Sequence, residues 1–259
     1  MPVFYATKYL DSNDRWIFTQ NTKQKIDGYK ISQWVLNRWQ PHAIYYHFRL
    51  GGHVEAIRHH LANNFFLKAD LKQFYNHVSR GKIIRCLLKI GFKYKTAHDF
   101  SMRSTVYNPR DGHKYILPFG FVQSPLLATL VLQKSALGKM LNTLKNQRKI
   151  TVSVYMDDIL LSANDEASLI EAKAMLLEAA MKSEFSINAA KTTPPLQSLE
   201  IFNIDVFLQH MSVTDERMQE FTQRVIENGV GNVSNGIIGY VHTVNPDQAK
   251  ILSALISVS

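Results

Sequence analysis

Residues 155–158 read Tyr-Met-Asp-Asp, between the apolar runs Val152-Ser153-Val154 and Ile159-Leu160-Leu161. Two short β-prone runs around so brief a break predict a hairpin with Asp157 and Asp158 at its tip. Adjacent carboxylates repel one another unless positive charge stands beside them. Mg²⁺ answers that need, because it takes oxygen ligands and commonly binds one or two carboxylates together with substrate phosphates. Asp-Asp is also ordinary turn chemistry on a solvated hairpin, so this segment alone leaves both readings open.

A third carboxylate narrows the choice. Residues 65–75, Phe-Phe-Leu-Lys-Ala-Asp-Leu-Lys-Gln-Phe-Tyr, read as an apolar strand that delivers Asp70 at its end. Gly81–Ile90 then sets apolar residues at helical spacing among basic ones. Asp70 by itself could cap a helix or serve a turn. Beside Asp157 on a neighbouring strand, it could instead help to hold two metal ions roughly 3.5–4 Å apart. That arrangement stabilises the attacking and leaving oxygens of a phosphoryl displacement.

The elements that must position these groups are an α+β set. Residues 1–64 read as largely helical and rich in aromatics. Ser124 to Gln147 reads as one long helix, with Leu126, Leu127, Leu130, Val131, Leu137, Leu141 and Leu144 near 3.6 spacing. Pro125 suits its first turn. Asn164 and Asp165 are placed to cap a further helix running through Met181. Thr193-Pro194-Pro195 interrupts the chain before a strand-like segment, and the tail from Thr214 reads as two or three short helices. Its last segment, Ile251–Ile256, is apolar enough to pack internally or against another subunit, so a homo-oligomer is an expectation.

Composition bounds the class. The 259 residues are 46% hydrophobic and 20% charged, as in a globular protein, and no apolar run approaches the ~20 residues of a membrane span. The leading residues Met1–Tyr9 lack the basic-then-apolar order of a signal peptide, and the single cysteine, Cys86, excludes an internal disulfide. Both predict a cytoplasmic protein. His59-His60 lacks the spaced partners of a zinc site. The net charge of +9 is unevenly spread: residues 1–164 hold 24 Lys+Arg against 9 Asp+Glu, whereas 165–259 hold 6 against 12. The densest basic segment, 61–115, surrounds Asp70, where it would draw in triphosphates and nucleic acid.

In order along the chain these segments resemble the motifs of the reverse transcriptases. Asp70-Leu71-Lys72-Gln73-Phe74-Tyr75 is similar to the first catalytic motif and Leu117–Pro125 to the second. Tyr155-Met156-Asp157-Asp158 is similar to the third, Ile187–Thr192 to the fourth, and Glu200–Phe207, more weakly, to the primer-grip hairpin. The resemblance implies a right-hand polymerase. Its fingers would lie mainly in 1–64, its palm in 65–212 with interleaved fingers elements, and its small helical thumb in 213–259. It further implies that Asp70 and Asp157 bind two Mg²⁺ ions, with the Leu71 carbonyl as a further ligand and Asp158 as an auxiliary carboxylate. Tyr75 would stand where an aromatic crowds the sugar 2′ position and favours deoxynucleotides. Phe119, Gly120 and Gln123 would line the incoming nucleotide, and Lys191 would donate a proton to the pyrophosphate leaving group.

One departure carries information. The family's second motif usually has Pro-Gln-Gly, and Phe119 occupies the glutamine position here, replacing an amide by a ring that can only stack or pack. The Phe119–Pro125 wording, and less distinctively Gly239–Pro246, resemble the abortive-infection reverse transcriptases of bacteria and prophages. That resemblance implies phage defence and DNA made from dNTPs without a template, with the single-stranded product attached to a protein tyrosine. Tyr5, Tyr9, Tyr29, Tyr45 and Tyr46 are the N-terminal candidates. The tail fits limited template use, since residues 213–259 carry three basic residues against five acidic ones and would grip a duplex poorly. An RNA-templated, retron-like enzyme is the alternative, and a catalytically silent nucleic-acid-binding protein is a third reading.

Overall fold

The computed structural model describes residues 4–12, 14–112 and 114–257; Met1, Pro2 and Val3 of the leading segment lie outside it. In chain order, β1 (Thr7–Leu10) and β2 (Trp16–Thr19) precede α1 (Thr22–Leu36), α2 (Gly52–Arg58) and β3 (Phe65–Lys72). Then come α3 (Arg80–Lys89), α4 (Tyr94–Ser104), β4 (Val106–Tyr107), β5 (Tyr115–Ile116), α5 (Ser124–Lys134) and α6 (Ala136–Gln147). β6 (Thr151–Tyr155) and β7 (Asp158–Ala163) lead into α7 (Glu166–Lys182) and β8 (Ser186–Ile187). The chain finishes with β9 (Ser198–Ile201), β10 (Ile204–Phe207), β11 (His210–Val213), α8 (Asp215–Asn228), α9 (Asn232–Val244) and α10 (Pro246–Ser257). The sheets are a four-stranded one in the order β6-β7-β3-β8, a meander β11-β10-β9, and the pairs β1-β2 and β4-β5. Among the described residues no helix is long and apolar enough to cross a membrane.

The chain forms two compact units. The first comprises residues up to Tyr45, Asp70–Thr143 and Ala174–Asn188; the second comprises Tyr46–Ala69, Leu144–Lys173 and everything from Ala189. β3 therefore passes from the second unit into the first between Ala69 and Asp70. It also runs two residues beyond Asp70, which lies inside the strand and not at its end, because Leu71 and Lys72 pair with Ile187 and Ser186.

In the first unit the N-terminal segment departs from its helical expectation. β1 and β2 form an antiparallel hairpin in which Thr7 faces Thr19 and Leu10 faces Trp16. The cause is tertiary: Phe18 is buried among Val106, Ile116 and Phe121, so the segment extends to present that ring. Helical structure begins at Asn21, whose side chain accepts from the Gln24 N–H while the Gln24 side chain accepts from Asn21, a reciprocal cap.

The long helix expected over 124–147 is two helices. Ser135 turns extended (ψ 171°), and its hydroxyl donates to Leu132 O at 2.6 Å and accepts from the Gly138 N–H at 3.2 Å. The apolar spacing runs through this break undisturbed, so periodicity could not reveal it. Gly138 makes the break possible, since a Cβ there would stand 2.1 Å from Leu132 O and 2.6 Å from Gln133 Cα.

In the second unit one core joins Val54, Ile57, Phe66 and Leu160 to the meander residues Ile201, Ile204, Val206 and Val213 and to Phe221, Val241 and Leu252 of the last three helices. Residues 213–259 thus share their core with the sheet. Burying each such aliphatic side chain contributes about 1.5–3 kcal/mol. In the final segment Leu252 turns inward and Ile251 outward.

Helix propensity favours alanine over glycine by about 1 kcal/mol. Gly138→Ala should nonetheless destabilise the protein by about 2 kcal/mol or more, because the clashing atoms are backbone and cannot rotate away. Urea unfolding gives the sign directly.

Candidate active site

The Tyr155–Asp158 segment is the two-residue turn joining β6 to β7, with Tyr155 opposite Asp158. Met156 takes φ 58°, a left-handed conformation that costs a side-chain-bearing residue on the order of 1–3 kcal/mol. A histidine outside the motif holds it there. His47 Nδ1 accepts from the Met156 N–H at 3.1 Å, and the His47 ring meets Tyr155 edge-on at 5.9 Å. Burial lowers the His47 pKa from 6.5 to about 4, opposed in part by a hydrogen bond with the Val154 backbone. The ring is therefore neutral and its acceptor nitrogen available.

Behind the turn, His60 is fully buried between the two strands. Its Nδ1 lies 2.7 Å from Ser162 Oγ and its Nε2 2.8 Å from Ser153 Oγ. A neutral imidazole offers one donor and one acceptor, which is what two serine hydroxyls can satisfy. Burial, aided by the neighbouring His59, holds its pKa down at about 3. Asn63 adds donors to Thr151 Oγ1 and Ser162 Oγ at 2.9 and 2.7 Å. On the other side of Tyr155, His53 and Phe202 form edge contacts with its ring at 5.8 and 5.4 Å, and His53 Nε2 lies 3.3 Å from the Tyr240 hydroxyl. Phe202 sits in the β9–β10 turn, the hairpin read from Glu200–Phe207, and Tyr240 lies on α9. Lys191, also in this unit, ends a short 3₁₀ turn and is exposed.

The first unit carries the other candidates. Asp70 is buried, and its backbone oxygen accepts from the Asn188 N–H at 2.8 Å. Leu71 is buried beside it, paired with Ile187. Tyr75 is buried with its ring centroid 4.7 Å from that of Phe119, tilted by 35°, and the Arg15 guanidinium lies 5.5 Å over the other aromatic. Phe119 is anchored through its carbonyl, which accepts from the Phe18 N–H at 2.9 Å. Gly120 follows with φ 97°, and a Cβ there would come within 2.3 Å of Phe18 O.

Gln123, read as a nucleotide contact, is 1% exposed and turned inward. Its Nε2 donates to Arg103 O and Ser104 Oγ, both at 3.3 Å, and its Oε1 accepts from Gln20 at 3.5 Å. Its amide is consumed in the interior, where it presses on Gly28 of α1 and buttresses the loop. A Cβ at Gly28 would stand 2.3 Å from Gln123 Oε1.

The candidate metal ligands are Asp70, Asp157, Asp158 and a carbonyl. This is a hard, all-oxygen set that suits a divalent cation of the Mg²⁺ kind and not zinc or copper. Among the described residues no three His, Cys, Asp or Glu side chains are arranged as a ready metal cage.

The fold and these motifs define a class. Residues 19–225 match the family described as "Reverse transcriptase (RNA-dependent DNA polymerase)", and the chain belongs to that family. It is 23% identical over 168 residues to the Retron Ec86 reverse transcriptase of Escherichia coli, covering 64% of this chain and 50% of that one. It is 24% identical over 214 residues to the Retron Mx65 reverse transcriptase of Myxococcus xanthus, covering 75% and 49%. The chain thus spans about half the length of the curated relatives it matches. Among solved structures, a telomerase from Candida albicans in complex with a TWJ fragment of telomeric RNA superposes with a TM-score of 0.54 at 12% identity, over 90% of this chain and 46% of that one. An RNA polymerase complex inside a dsRNA virus gives 0.53 at 13%, over 95% and 25%. At these identities the likeness is one of fold.

His47, His53, His60 and Asn63 were not legible as parts of the site, because each acts through groups distant in sequence. His47→Ala should cost about 1–3 kcal/mol by stranding the Met156 N–H. His47→Asn, with an acceptor near the place of Nδ1, should recover part of that in urea unfolding. Because both depressed histidines bind protons only when the chain unfolds, stability should be full above pH 6.5. It should then fall as pH drops toward 4 through His47 and toward 3 through His60.

Proposed function

We propose that this protein is a Mg²⁺-dependent DNA polymerase of the reverse-transcriptase type that joins deoxynucleotides with little or no template, in defence against phage. The observation that carries the template-free part is the Tyr75–Phe119 contact. Where the family's amide would be, an aromatic ring lies against the tyrosine, closing with packing a place that otherwise offers hydrogen bonds. The acidic tail supports the same reading, because its net negative charge disfavours a long grip on duplex phosphates.

In this reading Asp70, Asp157 and Asp158, with the Leu71 carbonyl, hold two Mg²⁺ ions, and the motif register is what joins them. Bound there, the metal neutralises phosphate charge and favours the ionised form of the attacking hydroxyl. The protein's own groups do the rest. The His47-braced turn fixes the two carboxylates, and Tyr75 bars a 2′-hydroxyl. Lys191 supplies the proton to the departing pyrophosphate. If the primer is a tyrosine of this chain, burial narrows the candidates. Tyr45 and Tyr46 are 1% and 3% exposed and their phenols are pushed above the usual range, whereas Tyr9 and Tyr29 are 52% and 62% exposed.

A second reading, an RNA-templated enzyme, is favoured by the two retron reverse transcriptases among its relatives. The two are separated by incubating the protein with Mg²⁺ and labelled dNTPs, without nucleic acid, beside Asp157→Asn. Protease-sensitive labelled DNA, absent from the variant, is the expected result. Silence until primed RNA is supplied would establish the second reading, and activity retained by Asp157→Asn would remove the carboxylates from the mechanism.

A further inference from the structure

Away from every motif residue, the first unit contains a cavity of about 230 Å³ walled by α3, the end of α5 and the end of α7. Its lining includes Lys82, Arg85 and Lys89 from α3, Lys134 from α5 and Lys182 from α7, against a single carboxylate, Glu184. Two of the cations are balanced locally. Lys82 Nζ lies 3.0 Å from Glu184 Oε2, donates to Ser183 O at 3.0 Å and sits 5.0 Å over the Phe185 ring, while Lys182 pairs with Glu178. Among the described residues no carboxylate lies within ion-pair distance of Arg85, Lys89 or Lys134.

We propose that this cavity binds the phosphate backbone of a polynucleotide strand. Arg85 and Lys89 are one helical turn apart, where like charges destabilise a helix by a few tenths of a kcal/mol, and α3 contains no acidic residue to relieve them. Lys89, Lys134 and Lys182 each end a helix and answer roughly half a negative charge there. That accounts for part of the positive charge but not for Arg85. From Lys82 to Lys89 the helix rises about 10 Å, the axial length of about three nucleotides of one duplex strand.

The cavity lacks the means to read a base. Its aromatic residue, Phe185, is 4% exposed and covered by Lys82, and its floor is the buried Cys86, whose thiol burial keeps protonated despite the surrounding cations. Charge without a stacking surface fits backbone phosphates, which position a strand without specifying its sequence. The proposal rests on the reading that this protein handles nucleic acid, but not on its catalytic carboxylates.

The test is oligonucleotide binding by fluorescence anisotropy across a salt series, without dNTPs, using the Asp157→Asn protein so that no synthesis alters the ligand. Single-stranded RNA, single-stranded DNA and duplex are compared. The Arg85→Gln/Lys89→Gln/Lys134→Gln variant should bind at least one of them about tenfold more weakly or worse. Its log–log salt slope should be shallower by about two, at roughly 0.7 for each single-strand phosphate left unneutralised. Arg85→Lys should keep the slope, and Lys139→Gln/Lys145→Gln/Lys149→Gln should leave affinity and slope nearly unchanged. If the triple variant loses its melting transition, Arg85→Gln alone carries the test, with an expected change in slope of about 0.7. Unchanged binding, an equal loss in the control triple, or a cavity that takes pyrophosphate or ATP while oligonucleotide affinity stays the same would overturn the proposal. An Asp157→Asn protein that still made DNA would sink the catalytic reading and leave this comparison intact.

Discussion

Two carboxylates stand on consecutive residues of a tight turn whose backbone is left-handed at Met156. Neutral groups brace the turn and its strands: His47 takes the Met156 N–H, His60 ties Ser153 to Ser162, and Tyr155 lies among His53 and Phe202. The left-handed Met156 costs on the order of 1–3 kcal/mol, while a hydrogen bond returns about 1 and each aromatic pair about 0.5–1.5. These terms are comparable, so the turn persists only while the rings stay uncharged and packed. Burial makes them so, and the shared core of the second unit makes the burial.

The loop around Phe119 is built by the opposite device, a polar group turned inward. Gln123 gives both ends of its amide to interior partners and lies against a helix that must have glycine at position 28 to admit it. Gly120 allows the backbone to pass Phe18 O where a side chain could not. With these constraints met, Phe119 is left to offer its ring to Tyr75. With the Gln123 amide turned inward, the loop presents aromatic rings and not an amide at this point.

Charge is divided along the same lines as structure. The helices following Asp70 carry the basic excess, and the last three helices carry an acidic one while sharing a core with the meander. A tail so joined to the sheet is held by apolar burial. The basic excess therefore lies in the first unit.

Much of this architecture was legible locally. Short apolar runs around a two-residue break wrote the β6–β7 hairpin, the Phe65–Leu67 run wrote β3, Ser124-Pro125 opened α5, Asp165 capped α7, and Asn245-Pro246 divided the last helices. Each of these signals acts over a few residues, through a short apolar run, a missing N–H or a reachable acceptor. The β1–β2 hairpin depends on a ring pocket formed by residues 106–121, and the break at Ser135 depends on the close approach of two turns around Gly138. The two hydrogen bonds of the buried His60 ring depend on serines 93 and 102 residues away. The sequence by itself determined which groups could do chemistry and which elements would carry them. Only the tertiary structure decided which histidines stay neutral and which amide turns inward, because burial and hydrogen-bond partners come from parts of the chain that meet only on folding.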